Sequence, residues 1–180
     1  MPFEFENIKG NSQGDAQMKQ AKEAAERLHE DIKPVLFNDR NILKDDSGAV
    51  VMMTYDEAMQ YAKEHNSRIP TTRDVAMYMN PKAILEESQV DPKNIPYGYY
   101  RVGGINNGKT DTFYFNNEME GKRKLEGEIA KLAFWNSTVA LGATEYAHVF
   151  YGILGGGGGE KEDHLRSKKH AVLLLPITDK

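Results

Sequence analysis

MTYDEAMQYAKEHNSRIPTTRDVAMYM, residues 53–79, contains two helix starts and the link between them. Thr54 stands immediately before a 3.6-period pattern, and Glu57 follows three residues later. That is capping-box spacing, in which hydroxyl and carboxylate each satisfy an amide of the first turn. The spacing predicts a helix with Ala58, Tyr61 and Ala62 inward and Met59 at its flank, leaving through His65-Asn66-Ser67. Arg68-Ile69-Pro70 reads as an extended link. Thr71 or Thr72 then caps a second helix carrying Val75, Ala76, Tyr78 and Met79, which Pro81 stops or restarts.

Upstream, Asp45-Asp46-Ser47-Gly48 is a turn, and the apolar run Ala49 to Met53 reads as a short buried strand. Further back, Met18, Ala21, Ala25, Leu28 and Ile32 step by three and four, so residues 1–36 are expected to be a helical segment preceding a domain over 37–180. Its narrow apolar seam leaves two readings open: an amphipathic helix packed on the domain, or a short coiled coil that joins copies of the chain. Downstream, Asn106-Asn107-Gly108-Lys109 lies between Tyr99 to Val102 and Thr112 to Phe115. This is hairpin chemistry, because Asn and Gly tolerate the positive φ of a tight turn. Lys122 to Lys131 fits helix or loop equally. Phe134 to Val139, Ala147 to Ile153 and Ala171 to Ile177 are strand candidates, and the Gly155 to Gly159 run followed by EKEDHLRSKKH reads as a surface loop.

The 180 residues carry 23 Lys and Arg against 27 Asp and Glu and no cysteine. A chain of this length buries one core without staples. Its net charge of −4 gives no general attraction to nucleic acid or anionic lipid, and the missing thiols exclude disulfides, thiolate metal centres and cysteine nucleophiles. MPFEFENIKG has neither a basic start nor an apolar run, and nowhere do eighteen apolar residues follow one another. No membrane insertion is expected. Localisation reads as cytoplasmic or phage-associated at face value, and as exported if a leader has been removed.

The segment 53–79 resembles the helix, basic-apolar-Pro-Thr link and second helix of the C-type-lectin-like and formylglycine-generating-enzyme superfold. FWNSTVALGATEYAHVFYG, residues 134–152, followed by HAVLLLP, resembles that group's tryptophan strand, its next strand and its closing apolar strand. The resemblance spans Met53 to Leu175, with residues 80–132 aligned by no motif. It implies an α+β fold with two helices, a small twisted mixed or antiparallel sheet and long irregular loops, to which the N-terminal helix is added. It brings no chemistry with it. The formylglycine enzymes use paired cysteines, absent here, and calcium-binding lectins use a Glu-Pro-Asn loop and a Trp-Asn-Asp strand, where this chain has Trp135-Asn136-Ser137.

On their own chemistry, Trp135 reads either as a core anchor with its N–H on a backbone carbonyl or as a stacking platform, and Arg68 either as a brace for a loop or as a cation offered to a ligand. Glu145 and His148 are separated by an odd offset on a strand, which puts them on opposite faces. His164 and His170 are expected to be solvated in a charged loop, so no metal and no cofactor are anticipated. Asn136-Ser137-Thr138 matches the glycosylation pattern but lies on a buried strand.

Recognition chemistry concentrates in the middle of the chain. Tyr97, Tyr99, Tyr100, Arg101, Asn106, Asn107 and Asn117 form the expected binding set, because Tyr, Asn and Arg offer contact area and hydrogen bonds at small entropy cost. About half of such tyrosines are expected to serve the core. The resulting expectation is a non-catalytic, calcium-independent recognition domain for a protein or glycan ligand. The alternatives are an enzyme of the same superfold with an unrecognised site, or an assembly subunit that forms a homo-oligomer through the N-terminal helix.

Overall fold

The computed structural model describes residues 37–121, 123, 125–151 and 160–177. The expected N-terminal helix and the glycine run lie outside these residues. The architecture is α+β. Two helices, α1 (Tyr55–Glu64) and α2 (Thr72–Met79), begin at the expected caps. Thr54 accepts from the Glu57 amide while the Glu57 carboxylate accepts from Thr54, and Thr71 and Asp74 repeat the arrangement. Asn80 ends α2, and Pro81–Ala83 continues as a single 3-10 turn.

Ten strands occur among the described residues: β1 (Met52–Met53), β2 (Ser67–Arg68), β3 (Ile84–Glu86), β4 (Tyr99–Asn106), β5 (Lys109–Asn116), β6 (Ala133–Val139), β7 (Tyr146–Tyr151), β8 (Glu160–Leu165), β9 (His170–Ala171) and β10 (Leu175–Pro176). β4 and β5 form the expected hairpin, with Asn107 and Gly108 both at positive φ in its turn. The strand expected over Ala49 to Met53 is shorter than read. Met52 and Met53 pair with β9, Val50 makes only an isolated bridge with Lys44, and Met52 is exposed because it sits at the sheet edge.

β6 is the hub. At Phe134 it pairs with Phe150 of β7 and with Ala171 of β9, and at Val139 with Ala147 of β7 and Ile105 of β4. One edge of β6 therefore carries β7 and β8. The other carries β9 and β1 near its start and β4, β5 and β3 near its end. A strand's side chains alternate between faces, so neighbouring residues of β6 feed different cores. Phe134, Phe150, Ala171 and Leu173 join α2 residues and the aromatics of β5 on one face. Trp135, Val149 and Val172 join Tyr55, Ala58 and Ala62 of α1 on the other. Trp135 is fully buried and its indole N–H donates to the Met53 carbonyl at 2.9 Å, so it anchors the core. β10 pairs with β2 and closes the domain over the Arg68-Ile69-Pro70 link.

Candidate functional site

The structure distributes the seven expected binding residues over five environments. Asn106 and Asn107, at the hairpin tip, line an open groove of about 870 Å³. Tyr100 and Asn117 stand at a narrow crevice whose walls include Val75, Met79, Val102 and Phe150. Tyr97 is exposed on the preceding loop. Arg101 pairs with Glu87 at 2.5 Å on the hairpin, and Glu87 also accepts from the Thr112 hydroxyl; these two bonds hold its carboxyl below the usual range. Tyr99 is core. It is 8% exposed, and burial pushes its hydroxyl up to about 12.

Segments from across the fold build the groove. α1 contributes Gln60 and Lys63, the link contributes Asn66, Ser67, Arg68 and Thr71, the hairpin contributes its tip, and Arg166 reaches in from the turn after β8. Both arginines are braced. Arg68 pairs with Asp74 at 2.6 Å, so it holds the link through an ion pair rather than through carbonyls. Arg166 lies over the Tyr55 ring, pairs with Asp56 and donates to the Thr144 carbonyl. The Tyr55 hydroxyl donates to the Ser137 carbonyl, tying the groove floor to β6. Asn106 is fixed as well: it accepts from Thr138 at 2.6 Å and donates to Asp111. Behind it, Arg73 bridges Asp111 and Glu86 and lies over the Phe113 ring. Burial works against that cation, but the two carboxylates raise its pKa above the ordinary arginine value.

The crevice has a polar floor. Asn136 is fully buried; its amide N–H donates to the Thr72 hydroxyl, while its carbonyl oxygen has no partner. Thr72 Oγ1 lies 2.5 Å from His148 Nδ1, and His148 Nε2 lies 3.5 Å from Asp163. This line, buried from Asn136 to His148 and exposed at Asp163, is not visible in the sequence because it joins α2, β6, β7 and β8 through the tertiary fold alone.

His164 and His170 differ from expectation. They lie on β8 and β9, not in a solvated loop, and their rings meet. His164 Nδ1 is 2.8 Å from His170 Nε2, and the Tyr151 hydroxyl is 3.1 Å from the other nitrogen of His164. Burial, and then the neighbouring His164, press His170 down to about 4. Among the described residues no group of three or more His, Asp or Glu is arranged around a common cation position, and no helix is long and apolar enough to cross a membrane. No protein-family model, curated protein or solved structure matches this chain.

Proposed function

We propose that the domain is a calcium-independent recognition module of C-type-lectin-like architecture that binds a protein or glycan ligand without catalysis, and that the ligand lies in the groove beneath the hairpin tip. The observation that carries this reading is the groove's construction. Amide and cationic side chains from α1, the 66–71 link, the hairpin and the β8–β9 turn converge on one concavity, and intramolecular bonds brace Arg68, Arg166 and Asn106 there. Donors held in place before binding lose little freedom on contact, which suits planar polar ligands such as peptide backbones and saccharide hydroxyls.

The experiment is capture on a glycan array and on a peptide-display library, repeated with K63A and N107G. The second substitution keeps the turn, because glycine accepts positive φ, and removes only the amide. Each variant is expected to weaken capture at least tenfold with an unchanged melting temperature. A ligand held equally well by both variants would place recognition elsewhere.

One arrangement favours a second reading, an enzyme of this same architecture. The Thr72, His148 and Asp163 line has the order hydroxyl, imidazole, carboxylate, and Thr72 borders the crevice. A fluorophosphonate probe forming an adduct at Thr72 would support it. An intact mass unchanged by the probe would dismiss it.

A further inference from the structure

The contact between His164 and His170 is an unusual hydrogen bond. If an N–H of one imidazole pointed straight at the nitrogen of the other, the ring centres would lie roughly 5 Å apart, the linear geometry that such bonds prefer. The centres are 4.6 Å apart with the nitrogens at 2.8 Å, and the ring planes are inclined at 62°. The contact is therefore bent rather than linear, a departure that bonding of both nitrogens to one ion also requires. Two imidazoles that share one ion at metal–N distances of about 2.0–2.1 Å hold their nitrogens about 2.8 to 3.0 Å apart at the roughly 90° angle of square-planar or octahedral coordination, which matches the separation observed, and about 3.3 to 3.4 Å apart at a tetrahedral angle.

The surroundings suit ligation too. Tyr151 occupies the outer nitrogen of His164, the position from which a hydrogen bond fixes tautomer and ring direction in histidine sites. The Trp135 ring stands edge-on to His170, 4.8 Å between centres, and packs one side of that imidazole. Both histidines are only half-buried, so an ion and its remaining water ligands can reach them.

We propose that His164 Nδ1 and His170 Nε2 are the protein ligands of a site for a borderline-soft divalent ion such as Zn²⁺, Ni²⁺ or Cu²⁺, with Tyr151 as the positioning residue for His164. The other coordination positions are taken by water or by an oxygen of a bound ligand. The protons balance without an added reagent. In the metal-free pair one inner nitrogen carries the shared proton. On binding, that proton moves to the outer nitrogen of the same ring, leaving two neutral imidazoles and releasing no net proton at neutral pH. This inference rests on the β8–β9 geometry and not on the recognition reading.

The test uses the untagged full chain stripped with a chelator, titrated with ZnCl₂ and NiCl₂ by calorimetry and with Cu²⁺ by electron paramagnetic resonance. One ion per chain is expected. H164Q and H170Q should each weaken binding at least tenfold, Y151F by about tenfold, and H65Q, at an exposed histidine stacked on Tyr61, not at all. Nitrogen hyperfine structure should fall from two couplings to one in H164Q. Should H170Q fail to fold by circular dichroism, H164Q and Y151F carry the test. Absence of saturable binding to the wild type, or affinity and stoichiometry unchanged in H164Q, would overturn the site.

Discussion

At the scale of single residues, two side chains report how the core treats polarity. The Tyr99 hydroxyl is buried without a hydrogen-bond partner. A buried unpaired hydroxyl costs more than it contributes, so Y99F is expected to raise stability by about 1 kcal/mol in urea denaturation. A loss on that substitution would mean that the hydroxyl is satisfied in solution. His170 gives a pH dependence of fixed sign. Its folded pKa, about 4, lies below the value of 6.5 for a free histidine. Between those values the unfolded chain binds more protons than the folded one, so stability is complete above pH 6.5 and declines as the pH falls from 6.5 toward 4. In chelator-containing buffer, H170Q should flatten the stability-against-pH curve in that window relative to wild type. Gly104 shows the tolerance of the sheet. A Cβ placed there would stand 2.2 Å from the Val139 carbonyl oxygen, a backbone atom that cannot swing aside. G104A is therefore expected to cost about 1 to 3 kcal/mol by denaturation, since it forces β4 from β6 at their one pairing point.

Among the elements, what could be read from the sequence is what is locally encoded. Thr54 with Glu57, Thr71 with Asp74, and Asn107-Gly108 each close a hydrogen-bonded unit within a few residues, so both helices and the hairpin were legible. β8 was not. Glu160 to His164 is polar throughout and the strand shows no apolar alternation; it pairs along one edge only, with β7. β2 and β10 are two residues long and exist only because each meets the other across the fold. The candidate site divides in the same way. The tip residues Asn106 and Asn107 were legible as turn chemistry, whereas Arg68, Lys63 and Arg166 become neighbours only through the tertiary fold, and so does the contact of His164 with His170 across the turn that joins β8 to β9. The caps lend themselves to measurement. T54A and T71A should each remove about 1 kcal/mol, because each strips a first-turn amide of its acceptor. T71A should also loosen the link that carries Arg68, detectable as faster amide exchange over residues 67–71.

For the whole molecule, stability depends on pairings between segments far apart in the chain. β1 meets β9, β2 meets β10, the Leu43 amide donates to the Val172 carbonyl, and the Leu174 amide donates to the Asn41 carbonyl. Leu173 and Leu175 sit fully or nearly fully buried in the core on the α2 side. L175A is expected to cost about 2 to 5 kcal/mol in chemical denaturation, as a large-to-small change in a closed core does. A cost below 1 kcal/mol would show the closing strand to be dispensable. Pairings this distant in sequence also predict slow, single-exponential refolding in the millisecond-to-second range, measurable by stopped-flow fluorescence of the lone Trp135.

That lacing of residues 41–53 to residues 170–176 has a consequence during synthesis. A polypeptide whose synthesis ends just after β8 carries α1, β6 and β7 but lacks the strip that covers Phe134 and completes the edge of β6. Until Leu175 clears the exit, the nascent domain presents open sheet edges to its surroundings. Stalled or prematurely terminated products should therefore be the species that chaperones retain.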